Sequence, residues 1–205
     1  MGSSTDRPST HIRLDYPHFQ KSIACCLQLR GKSSKIREFY LRCMGQLVQA
    51  TSMQRVSDLL EAVFVTALSE TEGNSLSTGL PVICEERKAC LKALICGQPL
   101  STDFMHDSEK LEDVDVGNEY DDGNPFVEFA KNVYHRCREA VEKSGEGDRD
   151  NIFYLPELVD RVQRSFKYVP LWSAIMIPIF QFGSITASSS SVESYFKDLK
   201  KLIFR

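Results

Sequence analysis

The chain has 205 residues, 42% of them hydrophobic and 26% charged, with a formal net charge of −3. An apolar share of that size excludes wholesale disorder. No apolar run reaches the ~18–20 residues of a membrane span, since the longest, Leu171 to Phe182, is interrupted by Pro178.

The opening Met1-Gly-Ser-Ser-Thr-Asp-Arg lacks the apolar stretch of a signal peptide. Seven cysteines, an odd number, argue against a disulfide framework. Cys25, Cys26, Cys43, Cys90 and Cys96 lie in or beside apolar helical patterns, as small hydrophobes do. A chain that is not secreted, nuclear or cytoplasmic, with no membrane partner, is therefore expected.

Residues 1–9 are polar and read as a disordered tail. His11-Ile-Arg-Leu-Asp15 alternates, with Ile12 and Leu14 on one face, and reads as a strand end. Pro17 suits the first turn of a following helix, along which Phe19, Ile23 and Leu27 keep helical spacing. Past the cap candidates Ser33 and Ser34, Ile36, Phe39, Tyr40, Cys43, Met44, Leu47 and Val48 recur at i, i+3, i+4, i+7. After Thr51-Ser52 the template repeats with Val56, Leu59, Leu60, Val63, Phe64 and Ala67, and Gly73 is the expected stop. The short connection makes these two helices an antiparallel hairpin. A fourth helix is expected over Ile83 to Ile95, before Gly97-Gln98-Pro99.

Between Asp103 and Asp122, nine acidic residues face Lys110 alone, so the rest of the chain is net positive. Such a run reads as a solvated linker, with an acidic mimic of nucleic acid as the alternative. Asn124-Pro125 opens a fifth helix with Phe126, Phe129, Ala130, Val133 and Cys137 on one face. Ser144-Gly-Glu-Gly-Asp148 reads as a loop, Pro156 to Phe166 as a short sixth helix, and the serines 188–191 precede a last helix with the stripe Val192, Tyr195, Phe196, Leu199, Leu202 and Ile203. The expected organisation is a tail (1–9), a strand end plus helical region (10–100), an acidic linker (101–123) and a C-terminal helical region (124–205). The class is mainly α, a helical bundle with at most one or two short strands.

No G-x-x-x-x-G-K, H-E-x-x-H or C-x-x-C motif is present. Cys84, Cys90 and Cys96 are six apart and do not converge on one helix face, and His135-x-Cys137 has no second pair, so zinc is not expected. Asp15 at a strand end is either a cap for the next helix or a ligand for Mg²⁺, with His18 beside it. Glu193 has the same two readings, because Ser190-Ser-Val-Glu193 matches a capping box. Arg30, Lys32, Lys35 and Arg37 cluster around one helix start, and Lys197, Lys200, Lys201 and Arg205 crowd the last helix. These are either solvated faces or contacts to DNA phosphates without sequence preference. The apolar stripe of the last helix offers self-association instead.

The words around these residues resemble transposases. His11-Ile-Arg-Leu-Asp-Tyr-Pro-His18, Lys35-Ile-Arg-Glu-Phe-Tyr-Leu-Arg-Cys43 and Ala67-Leu-Ser-Glu-Thr-Glu-Gly73 look like the part of animal Mutator-like DDE transposases that follows a catalytic strand. Val169-Pro-Leu-Trp172 and Ala187-Ser-Ser-Ser-Ser-Val-Glu-Ser-Tyr-Phe196 are similar to a block near the end of hAT-type transposases. The resemblance implies an RNase H-like core in which three carboxylates hold two Mg²⁺ ions for attack on a phosphodiester. Asp15 would match the second acid, His18 the neighbouring histidine, and Glu193 the third acid beyond a helical insertion containing Trp172. Glu70 and Glu72 are rivals for the third place. Only 14 residues precede Asp15, the earlier acid Asp6 lies in the polar tail, and Glu193-Ser194 replaces the family's Glu-Arg. The chain alone is therefore expected to be catalytically inactive: a transposase-derived piece with non-specific DNA binding or self-association or, alternatively, a helical protein-interaction module without nucleic-acid function.

Overall fold

Phe39, Tyr40, Cys43, Met44 and Leu47, the apolar positions of the first strong helical repeat, are all buried along one side of α1 (Ser34–Gln49). The second repeat forms α2 (Met53–Leu68), entered through Ser52, whose Oγ accepts the Arg55 N–H at 3.2 Å. With only three residues between them, the two helices fold back on each other as the hairpin that the sequence implies. The computed structural model describes residues 33–96 and 123–176, together with Phe19 and Ile23.

α2 is the central element. From Ala62 to Ala67 every residue is buried, and a helix apolar on all sides has neighbours on all sides. α1, α3 (Ile83–Ile95), α4 (Pro125–Ser144) and α5 (Pro156–Ser165) all pack against it or against one another. Asn124 caps α4, its Oδ1 accepting the N–H groups of Phe126 (3.0 Å) and Val127 (3.4 Å), with Pro125 in the first turn as expected. A 3₁₀ turn at Phe166–Tyr168 and a short helical turn at Val169–Trp172 follow α5. There Trp172 stacks on Phe19 with centroids 4.0 Å apart, and its Nε1 donates to the Ser165 carbonyl.

Two short strands join these helices. β1 (Thr71–Ser75) and β2 (Gly147–Asp150) pair antiparallel, Thr71 opposite Asp150 and Ser75 opposite Gly147. Here the structure corrects two expectations. Gly73 is not the stop of α2, which ends at Leu68 with Ser69 Oγ donating to the Val65 carbonyl. Gly73 instead has φ +89° at an irregularity in β1, where a Cβ would lie 1.9 Å from an Asp148 carboxylate oxygen. The expected loop at 144–148 in turn gives way to β2, and a Cβ at Gly147 would lie 2.2 Å from the Glu72 carbonyl oxygen. Cys90 and Cys96 are exposed rather than packed as hydrophobes, whereas Cys43, Cys84 and Cys137 are buried.

The C-terminal end of α2 is tied down from far along the chain. Buried Asn151 donates from Nδ2 to the carbonyls of Thr66 and Ser69, both at 2.7 Å, and from its backbone N–H to the Glu70 carbonyl at 2.8 Å. Leu155 N–H serves the Ala67 carbonyl, and the Tyr40 hydroxyl donates to the Phe153 carbonyl. Carbonyls that a helix end leaves without partners are thus satisfied by the segment after β2. No described helix is long and apolar enough to cross a membrane. The expected strand at 11–15, the acidic segment and the last helix from 188 onward lie outside the described residues.

Candidate functional site

Of the sequence-derived candidates, Asp15, His18, Arg30, Lys32, Glu193, Lys197, Lys200 and Lys201 lie outside the described residues. Lys35 and Arg37 are placed, in the first turn of α1. Lys35 is exposed and Arg37 half-buried, its Nε shielded and without a hydrogen-bond partner. No acidic residue shares that turn. Cations at the positive end of a helix oppose its dipole, so helix stability does not explain them.

The rivals for a third acid have different surroundings. Glu70 is exposed between α2 and β1. Burial, then the nearby Glu70 carboxylate, raises the pKa of the Tyr154 hydroxyl. Glu72 is bound instead to Lys88, at 2.5 Å from its Nζ. Lys88 is only 2% exposed and also contacts Glu85 Oε2 at 2.9 Å. That same Glu85 oxygen accepts the Gly73 N–H and an Arg149 Nη2–H, each at 3.2 Å. One buried ammonium therefore joins β1 to α3, and Arg149 ties in β2.

The titration behaviour follows from this geometry. Burial by itself would pull the Lys88 ammonium's pKa down, yet the hydrogen bonds to Glu72 and Glu85 outweigh it and hold it above its ordinary value. The Lys88 hydrogen bond in turn holds the Glu85 carboxyl below the usual carboxylate range, against the effect of burial. A charged lysine with both neighbouring carboxylates engaged is a brace, with neither a free nucleophile nor a free base.

Metal binding gains no support among the described residues, where no group of three His, Cys, Asp or Glu side chains could hold an ion. Burial raises the thiol pKa of Cys84 and pushes that of Cys137 up to about 12. Between α2 and α4 lies an open groove of about 580 Å³ with Met53, Phe129 and Val133 among its apolar lining. Its Arg136 reaches Ser57 Oγ at 3.4 Å.

Sequence reasoning missed the Lys88 brace, although a signal was present. Cys84, Lys88, Leu91 and Ile95 share the buried stripe of α3, and a lysine on such a stripe requires an anionic partner.

No family model matches the chain, and no solved structure matches it. It is 28% identical over 203 residues to the 120.7 kDa protein in NOF-FB transposable element of Drosophila melanogaster. The similarity supports a transposon-derived origin. It covers 98% of this chain and 19% of that protein, so the chain spans about a fifth of the length of this relative.

Proposed function

We propose that the chain is a transposase-derived helical segment that contacts DNA through phosphates, without sequence preference and without catalysing strand transfer by itself. The observation that carries this reading is the similarity along nearly the whole chain to a transposable-element protein. Lys35 and Arg37, cations that the helix dipole does not favour, fit the phosphate-contact part. Arg30, Lys32, Lys197, Lys200 and Lys201 would extend that contact, and the setting would be nuclear.

In the finer reading, of the Mutator-like or hAT-like kind, Asp15 and Glu193 would be the carboxylates that hold Mg²⁺, with His18 nearby. Mg²⁺ bound there would supply an activated water or 3′-hydroxyl and stabilise the leaving oxygen. Duplex DNA binding by the purified chain should be clear at about 50 mM salt and collapse by about 200 mM. No binding at the lower salt would remove the DNA contact. Mg²⁺-dependent cleavage abolished by Asp15→Asn would overturn the inactive assignment, and cleavage indifferent to that substitution would overturn the site.

A second reading, a helical module that recruits a protein partner, is favoured by Leu76 and Leu80, which are 70% and 66% exposed on one turn after β1. Self-association through the Val192–Ile203 stripe belongs instead to the transposase-derived reading. No DNA binding at low salt would favour the protein-recruiting module.

A further inference from the structure

A second group of cations lies at the far end of the described chain. Arg161, Arg164 and Lys167 follow at intervals of three along α5 and the 3₁₀ turn after it and are half-buried, whereas Leu158, Val162 and Phe166 are buried. Glu157 and Asp160 occupy the turn before, so the sign of the charge changes along the face and its cationic end is 164–168. Asp160 is four residues before Arg164, the spacing of a helical ion pair, yet none forms between them among the described residues.

The backbone beneath these cations is tied into the core. Ser165 Oγ donates to the Val162 carbonyl at 2.7 Å, Trp172 Nε1 to the Ser165 carbonyl at 3.2 Å, and Phe166 is fully buried. Arg164 Nε is shielded and has no hydrogen-bond partner. A partly dehydrated guanidinium binds an anion more strongly than a freely hydrated one, and its fork matches phosphate. Beside it the Tyr168 ring is 38% exposed, with Lys167 Nζ 4.8 Å from its centroid. The helix dipole alone accounts for cations at this end, but not for an exposed aromatic ring among them.

We infer that Arg164, Lys167 and Tyr168 form a contact for a nucleic-acid strand, with phosphates on the two cations and an unpaired base stacked on the tyrosine. Arg161, one turn earlier, extends the track. The span from 161 to 167 is about 9 Å at helical rise. An acidic polypeptide would match the charge but would bring no base to stack on the aromatic ring. The inference rests on the nucleic-acid reading above and assigns it a strand type and residues.

The test is binding of a thymidine oligonucleotide and of duplex DNA by the full chain over a range of salt. Wild type should bind the single strand, and Arg164→Gln with Lys167→Gln should flatten the dependence of log K on log salt by about 1.4, at ~0.7 per phosphate contact. Lys167→Gln alone, with its unfolding midpoint measured alongside, should flatten it by half as much. Tyr168→Ala should weaken single-strand binding about five-fold or more, and Tyr168→Phe should retain it. Unchanged slopes in both glutamine variants would overturn the assignment. Duplex binding without single-strand binding would overturn it while leaving the earlier reading intact, and binding of neither would remove both. Polyglutamate bound as tightly as the oligonucleotide, and lost in the double variant, would reassign the face to an acidic protein.

Discussion

The β1–α3 junction and the end of α5 both carry cations near the core, and they treat them in opposite ways. Lys88 is buried deepest, and every charge around it has a partner: Glu72 and Glu85 on the ammonium, Gly73 N–H and Arg149 on Glu85. Arg164 is only half-buried, and its Nε has no partner. A closed network of this kind belongs to folding, because each charge removed leaves another stranded. On the inference above, the cations at the end of α5 would instead meet a ligand, Arg164 with its Nε still without a partner.

The largest expected effect comes from opening the closed network. Lys88→Met leaves Glu72 and Glu85 facing each other without their cation and should cost about 3 kcal/mol, at the low end for a broken buried pair since Glu85 retains some exposure. Urea unfolding monitored by circular dichroism would measure it, and a loss near zero would contradict the brace.

Next comes Asn151→Ala, which strips donors from the carbonyls of Thr66 and Ser69 and should cost about 2–3 kcal/mol. Its measurable sign beyond a lower midpoint is faster amide exchange at the C-terminal end of α2. A slightly smaller loss, about 1–2 kcal/mol, is expected for Gly73→Ala, where φ +89° and the nearby Asp148 carboxylate both oppose a Cβ.

The dependence on pH sharpens the comparison. The lowered Glu85 pKa means that its contribution is present above the ordinary carboxylate value and lost as pH falls through the depressed one. The raised Lys88 pKa means the reverse at the other extreme: its contribution is intact below the ordinary lysine value and lost as pH rises through the elevated one. Stability of the wild type should therefore fall at both ends, and Lys88→Met should flatten both arms. The smallest effect is expected at the fully exposed Arg138–Glu142 pair, where Arg138→Ala should leave the unfolding midpoint unchanged.

The helices were legible because burial and sequence period coincide. The apolar positions of α1 and α2, the limits Ile83–Ile95 of α3 and the Asn124-Pro125 start of α4 all follow from residue type and spacing. The strands were not, because Thr-Glu-Gly-Asn-Ser and Gly-Asp-Arg-Asp carry no alternating apolar face; they pair because two helix ends bring them together. Asn151 was equally hidden, since its role arises from carbonyls 82 to 85 residues away. For the site, the sequence offered cations and acids in short words. Lys35 and Arg37 are placed at a helix start, whereas Asp15, His18 and Glu193 fall outside the described residues.

The contrast between closed and open charges can be measured in one experiment: the salt dependence of oligonucleotide binding, with unfolding midpoints, for wild type, Lys88→Met and the Arg164→Gln, Lys167→Gln pair. The account predicts that the lysine variant, kept below its midpoint, binds with the wild-type slope but unfolds far more easily. The glutamine pair should unfold as wild type does and bind with a flattened slope. A glutamine pair that loses stability while keeping the wild-type slope would contradict the division between charges that hold the fold and charges that meet a nucleic acid.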